Sequence, residues 1–375
     1  MKLFFWMIAA AIVYTYLGYP AILAAARRLC TRRASKGPYE PSVSIIISAF
    51  NEEKVIERKL TNLLALEYPE TKLEILVGSD GAIDLTDMIV SKFHTPRIRF
   101  FRFVQNLGKP HVLNALVKEA RGEVIVFTDS RQEFEPRAVR ALVENFNDPA
   151  VGCVSGELHF RNVGTSGVSR GMNAYWRYEK FLRKAESDIH SMLGATGAIY
   201  AIRKNLYPEL PVDILVDDMY IPLAIVAAGY RAVFDHEAEA YDETSEEGSQ
   251  EFTRKVRTLT GNYQVFQRLP HLFDPFRSPV AFQLFSHKLL RLMAPFALIL
   301  LFAINAALAG EPFYAFFLAG QIAFYGIAGL EVLAKTKRGI AFVPYTFCLL
   351  NAAALMALVR FLTRPQTAAW KQTAG

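Results

Sequence analysis

Residues 43–53 read Val43-Ser-Ile-Ile-Ile-Ser-Ala-Phe-Asn-Glu-Glu53, a β-branched run that stops at a polar turn. An apolar run of this length predicts a buried strand, and Asn51 stands where it would N-cap an amphipathic helix running to about Leu66. Upstream, Ser35-Lys-Gly-Pro-Tyr-Glu-Pro41 is a linker of breakers. Downstream the same pattern recurs. Glu74-Ile-Leu-Val-Gly78 ends at Ser79-Asp80-Gly81 with a helix from near Asp84, and Arg99-Phe-Phe-Arg-Phe-Val104 runs into Asn106-Leu-Gly-Lys-Pro110 and another helix. Glu123-Val-Ile-Val-Phe127 stops at Thr128-Asp129. Apolar strands alternating with helices predict an α/β fold whose parallel sheet is covered on both faces. Ligands of such sheets lie outside the carboxyl ends of the strands. Asn51, Asp80, Lys109 and Asp129 all fall there. Each alone reads equally well as a capping or turn residue; four at consecutive strand ends make a candidate site.

Hydrophobic residues make up 52% of the 375, too many for a wholly soluble chain, so part of it is expected in lipid. Leu3 to Ala26 carries no charge and is followed at once by Arg27, Arg28, Arg32 and Arg33. That is a membrane anchor, not a cleaved leader, and its basic flank places the following residues in the cytoplasm. Leu292–Gly310, Phe313–Ala334 and Ile340–Leu362 are three further stretches near spanning length, separated by Gly310-Glu-Pro312 and the basic Lys335-Thr-Lys-Arg-Gly339. Three full crossings would put Arg364 and Lys371 outside, whereas a re-entrant last segment would keep them inside. The expected domains are a transmembrane helix over 1–26, a cytoplasmic catalytic domain over 36–280 and a membrane region over 281–375, together a multi-pass protein of the cell membrane. Much of the net charge of +6 sits at membrane edges, where anionic lipid is the partner and nucleic acid is not. Cys30, Cys153 and Cys348 are scattered and suggest neither a disulfide framework nor a zinc site.

Several motifs resemble the family 2 glycosyltransferases of GT-A fold, in particular the membrane-bound branch that includes cellulose, hyaluronan and poly-N-acetylglucosamine synthases. The likeness covers residues 43 to about 268 and the flanking membrane segments. Ser48-Ala-Phe-Asn-Glu52 looks like the first-strand turn that meets the nucleotide, which would place Asn51 and Glu52 at the donor. Asp80-Gly-Ala-Ile-Asp-Leu-Thr86 resembles D-G-x-x-D-x-T, whose first aspartate contacts the uracil side, and Asn106-Leu-Gly-Lys109 matches N-x-G-K, whose lysine faces the nucleotide. The resemblance implies a nucleotide-sugar-binding domain with a mixed, largely parallel sheet and transmembrane helices at both ends.

Asp129 takes the first position of the family's metal-holding D-x-D, and Arg131 stands where the second aspartate should be. One carboxylate with diphosphate oxygens and water could still hold Mg²⁺ or Mn²⁺, or Arg131 could pair with the phosphates directly. His236 near a strand end reads as structural before it reads as a ligand. On the acceptor side, Gly194-Ala195-Thr196-Gly197-Ala-Ile-Tyr200 resembles the acceptor-binding turn. Leu215-Val-Asp217-Asp218 aligns with T-E-D, which makes Asp218 the general base and places Asp217, pointing elsewhere, among the acceptor-binding residues; the alternative is that both simply cap a helix starting at Met219. A positioned base contributes roughly 10²- to 10⁴-fold.

Arg254-Lys-Val-Arg257-Thr258 falls where the processive synthases have Q-x-x-R-W. Arg254 and Arg257 share a helix face that either grips diphosphate or is an ordinary solvated basic surface. Thr258 in place of the sugar-stacking tryptophan argues against the standard chain-holding site. The acidic stretch Asp242–Ser249 reads as a cover for the site, and Trp370-Lys-Gln-Thr373 resembles the C-terminal end of the same branch. The resulting expectation is an inverting transferase that moves sugar from a UDP-sugar to a lipid-linked or nascent glycan, with a possible oligomer or glycan-export partner. A processive synthase and a non-catalytic nucleotide-sugar-binding subunit are the alternatives; a transporter is disfavoured by the few membrane segments.

Overall fold

The run at Val43 becomes β1 (Val43–Ala49), buried at every residue. It lies between two parallel neighbours, β2 (Leu73–Asp80) and β4 (Val124–Thr128), and β3 (Ile98–Phe103) adds to β2, again parallel. Four more strands complete a single mixed sheet: β5 (Glu133–Phe134), β6 (Val151–Arg161), β7 (Tyr200–Arg203) and β8 (Arg231–Glu243), in the order β3-β2-β1-β4-β7-β6-β8-β5. β7 runs antiparallel to β4 and to β6, and β5 antiparallel to β8. The parallel half was legible in the sequence, and the mixed sheet implied by the resemblance is present.

Register sets the site. Ile47 pairs with Val77 and with Thr128, so the turns at Asn51, Gly81 and Asp129 leave the sheet at one edge. Tyr200, the first residue of β7, pairs with Phe127. Because β7 runs the opposite way, the Gly194–Ile199 turn that precedes it emerges at this same edge. The core beneath is aliphatic, with Ile45, Ile47, Ile75, Val77 and Val126 fully enclosed between helices.

The computed structural model describes residues 1–161, 167–243, 248–334 and 342–370. Two compact units are present. The sheet belongs to one, made of Arg32–Arg161, Glu186–Asp242 and Pro365–Gly375; the other comprises Met1–Thr31, Asn162–Ala185 and Glu243–Arg364.

The second unit holds four helices long and apolar enough to cross a membrane: Lys2–Leu29, Ala281–Ala307, Pro312–Glu331 and Val343–Thr363. The second of these starts at Ala281, not at Leu292. Its first turns were missed because they carry Ser286, His287 and Arg291, which would normally mark an end. In the fold these face inward: Ser286 bonds the Tyr14 hydroxyl at 2.8 Å, His287 Nε2 lies 3.3 Å from the buried Glu179 carboxylate, and Arg291 pairs with the same carboxylate. Facing polar neighbours in this way, ionisable groups are tolerated in an apolar helix. Arg360 sits in the last turn of Val343–Thr363, where a cation faces the helix C-terminus. Most of the acidic stretch after Asp242, the basic segment at 335–339 and the residues after Trp370 lie outside the described residues.

Candidate active site

The first two strand-end turns are laced together by hydrogen bonds. Asn51 Oδ1 accepts the Ile83 N–H at 3.0 Å, the Glu52 N–H donates to Thr86 Oγ1 at 2.8 Å, and the Glu53 N–H donates to Asp84 Oδ2 at 3.1 Å. In return the Leu85 N–H donates to Glu53 Oε2 at 3.1 Å. This corrects the N-cap expected of Asn51. Its φ of 55° is left-handed, its carboxamide serves the neighbouring turn, and the helix begins only at Ile56. Asparagine suits such a backbone because its short polar side chain can bond locally.

Asp80 is fully buried, and its two oxygens accept the N–H groups of Leu107 and Gly108 at 2.9 and 2.8 Å. The carboxylate expected at the nucleobase therefore braces the Asn106–Lys109 turn. That turn also carries the tail of the chain: the Asn106 carboxamide accepts from the Trp370 N–H at 3.0 Å and donates to its carbonyl at 2.8 Å. The Trp370 indole lies parallel to the Phe50 ring, centroids 6.3 Å apart. Gly108 has φ of 94°, and a Cβ there would come within 2.7 Å of the Ala368 carbonyl carbon, so only glycine fits beneath the tail.

Lys109 Nζ lies 3.0 Å from Asp129 Oδ1 and 3.2 Å from Asp217 Oδ1. Burial would lower its pKa, yet Asp129, Asp217 and Asp218 together hold it well above the ordinary lysine range. Asp217 is buried and also accepts from the Tyr200 hydroxyl at 3.2 Å. Asp217 and Asp218 both lie in the first turn of the helix Asp217–Ala227, whose N-terminus favours their charge. The residue at the N-cap position is Val216, not an aspartate, and the helix starts at Asp217, two residues before Met219.

The acceptor-type turn closes over this cluster. The Ala195 N–H donates to the Asp218 carbonyl at 2.8 Å and the Thr196 N–H to Ser155 Oγ at 3.0 Å. A Cβ on Gly197 would meet Asp218 Oδ2 at 3.4 Å and Asp129 Oδ2 at 3.7 Å. The space in front of Gly197 is thus faced by the carboxylates of both residues singled out for chemistry, and Gly194 likewise abuts the Asp218 backbone. Arg131, nearly half exposed, points its guanidinium to within 3.9 Å of Asp242. Glu52, burdened by burial and by the negative charge of Asp129, Asp84 and Asp242 against a single favourable Arg131, has its pKa pushed up to about 7. Arg254 and Arg257 lie as expected on one helix, Gly248–Arg268, but in the other unit; Arg254 pairs with Glu251 at 3.4 Å.

Sequence reasoning missed Lys59 and Gln132, and it named Tyr200 and Asp242 only as the ends of the acceptor-type turn and the acidic stretch. Gln132 Nε2 donates to Asp242 Oδ2 at 2.7 Å. Lys59 carried a signal: it sits on the helical stripe Ile56, Lys59, Leu60, Leu63, where every other member is apolar and fully buried. Burial brings its pKa down to about 7 against the support of Asp129, Glu133 and Asp242.

A divalent ion is implied by the D-x-D position. Among the described residues no three His, Cys, Asp or Glu side chains group to hold one, and His236 is exposed on β8. Asp129 nonetheless fits a Mg²⁺-type site completed by phosphate and water, since such ions need only one or two carboxylates. One of its oxygens is engaged by Lys109 and the other faces the space at Gly197.

Compared with known protein families, residues 44–210 match the one described as Glycosyl transferase family 2. The chain carries a glycosyl transferase family 2 domain. Its relatives include the probable glycosyltransferase YdaM of Bacillus subtilis, 28% identical over 257 residues that make up 65% of this chain and 61% of the relative. Poly-beta-1,6-N-acetyl-D-glucosamine synthase of Staphylococcus aureus is 23% identical over 231 residues, 60% of this chain and 56% of the synthase. The chain thus spans about three-fifths of the length of these relatives. Among solved structures, mannosyltransferase PcManGT from Pyrobaculum calidifontis, in complex with GDP-Man and Mn²⁺, is similar over 95% of this chain and 98% of its own, with a TM-score of 0.74 and 25% identity. The family 2 domain has the GT-A fold. The family match ends before Asp217 and Asp218, so it does not reach them; of the two, Asp218 is the one whose carboxylate faces Gly197.

Proposed function

We propose that this chain is a membrane-bound, inverting glycosyltransferase that moves a sugar from a nucleoside diphosphate to an acceptor hydroxyl. The observation that carries the reading is the convergence of Asp129 and Asp218 on the space before Gly197, with Lys109 behind them. Transfer is a single displacement. As the acceptor oxygen bonds to the anomeric carbon, the bond from that carbon to the diphosphate breaks and the acceptor proton passes to a base. Asp218 is that base. Asp217 is held by Lys109 and Tyr200 and orients the lysine instead. Lys109 and Arg131 are the cations for the charge that develops on the departing diphosphate, where fixed donors are most effective. A divalent ion at Asp129, when bound, would add charge neutralisation at the same diphosphate.

The likeness to a structure holding GDP-Man and Mn²⁺ supports a nucleotide-sugar donor and a metal; UDP and GDP are the two bases to test. The four apolar helices favour an acceptor at the bilayer, lipid-linked or nascent glycan, with the catalytic domain in the cytoplasm. A processive synthase is the second reading, favoured by the Staphylococcus relative and opposed by Thr258 at the tryptophan position.

Calorimetry on detergent-solubilised protein with UDP and GDP, each with and without Mn²⁺, tests the proposal beside Asp129→Ala and Asp218→Asn. Mn²⁺-dependent binding should weaken in Asp129→Ala, while Asp218→Asn should bind normally and lose transfer. Equal loss of binding and transfer in Asp218→Asn would refute the base. Binding indifferent to Mn²⁺ would make Arg131 the phosphate partner.

A further inference from the structure

Lys59 is 1% exposed, in the middle of a helix whose other inward residues are aliphatic. Lysine is almost never buried so completely without a partner, because an unpaired ammonium in an apolar interior is costly. The contacts its ammonium makes are with neutral groups: Thr128 Oγ1 at 2.8 Å, the Gln132 carbonyl oxygen at 2.6 Å and the face of the Phe134 ring, 4.1 Å from its centroid.

Those two hydrogen-bond acceptors are the first and last residues of the segment Thr128-Asp129-Ser-Arg131-Gln132. The clamp reaches further at both ends. Thr128 Oγ1 donates to the Ala198 carbonyl at 2.8 Å, next to Gly197, and the Gln132 side chain holds Asp242. One ammonium thereby ties the strand end bearing Asp129 and Arg131 to the turn that faces them.

We propose that Lys59 is a positioning residue for the donor diphosphate, clamping both ends of Thr128–Gln132 from behind so that Asp129 and Arg131 present to the same phosphates. This rests on reading the site as a donor-diphosphate site. The clamp matters here because Arg131 replaces a carboxylate. With two carboxylates a bound ion fixes the segment from the front, whereas with one the geometry has to be held by the protein itself.

Lys59→Met keeps the length and apolar stem of the side chain and removes its donors. Since replacing a buried charge by an apolar group of similar volume is often neutral or stabilising, thermal stability should be retained or raised. Calorimetry then compares UDP with UMP, and GDP with GMP. Losing both hydrogen bonds of the clamp should weaken diphosphate binding by about tenfold and leave monophosphate binding within about twofold. Equal affinity of wild type and variant for the diphosphate, or an equal loss for mono- and diphosphate, overturns the positioning role. If wild type binds neither diphosphate, the donor-site reading falls and takes this proposal with it. Should Lys59→Met fail to fold, Thr128→Val removes the acceptor at one end of the clamp. It should weaken diphosphate binding about threefold with monophosphate binding kept, and no change there is equally fatal.

Discussion

Replacing Lys109 by methionine removes one ammonium and leaves behind the two carboxylates it touches. They are not equivalent. The Asp129 side chain is 42% exposed, so water screens much of its loss. The Asp217 side chain is 8% exposed, and without the lysine it keeps the hydrogen bond from the Tyr200 hydroxyl. Removing one member of a buried pair costs about 3–5 kcal/mol, and the remaining hydroxyl bond puts this case near the lower figure. For a unit of this size, about 3 kcal/mol corresponds to a fall in Tm of roughly 6–12 °C. The double variant Lys109→Met/Asp217→Asn removes the orphaned charge as well and should recover about 2 kcal/mol of the loss, the coupling expected of contacting residues. Thermal unfolding of wild type, both single variants and the double variant in one detergent gives the cycle. Additive shifts would refute the account, because they would mean that Lys109 and Asp217 do not share a charge balance.

Gly197→Ala places a methyl group at ordinary contact distance from Asp218 Oδ2 and Asp129 Oδ2, so the protein should fold with a Tm within about 2 °C of wild type while transfer collapses. Transfer at the wild-type rate would place the reaction elsewhere. Gly108→Ala must adopt φ of 94° and push against the Ala368 backbone; it should cost about 1–3 kcal/mol and release the tail, seen as a change in Trp370 fluorescence. Lys59 has a pKa near 7 in the folded chain and 10.5 as its ordinary value, so between those limits the folded state binds fewer protons than the unfolded one and stability rises with pH. The Tm of wild type minus that of Lys59→Met should therefore increase from pH 7 to pH 10, and a flat difference would mean that the lysine is not desolvated.

What could be read beforehand followed from local pattern. β1, β2 and β4 are buried on both faces, which writes them into the sequence as continuous apolar runs. β6 and β8 carry Glu157, His159, Asp235 and Glu237 among their apolar residues and offered no such run. Asn51 had the local appearance of a helix cap, but its partner is Ile83, 32 residues on. Lys109, Asp129, Asp217 and Asp218 were found by motif, whereas their sharing of one lysine depends on β7 turning back along β4, which no local signal announced. Lys59 was passed over for the opposite reason: a single lysine on an amphipathic helix reads as a snorkelling surface residue until its acceptors are known.

The tail at Trp370 has a consequence for how the protein is made. The wall that it forms beside Phe50 and Asn106 is encoded after the last of the four apolar helices, although Phe50 and Asn106 are encoded before three of them. A ribosome therefore cannot deliver the complete sheet-bearing unit until all those helices have been synthesised. A fragment cut at Arg364, convenient for crystallography, would uncover Phe50 and Gly108 and would leave the Asn106 carboxamide without its tail partner.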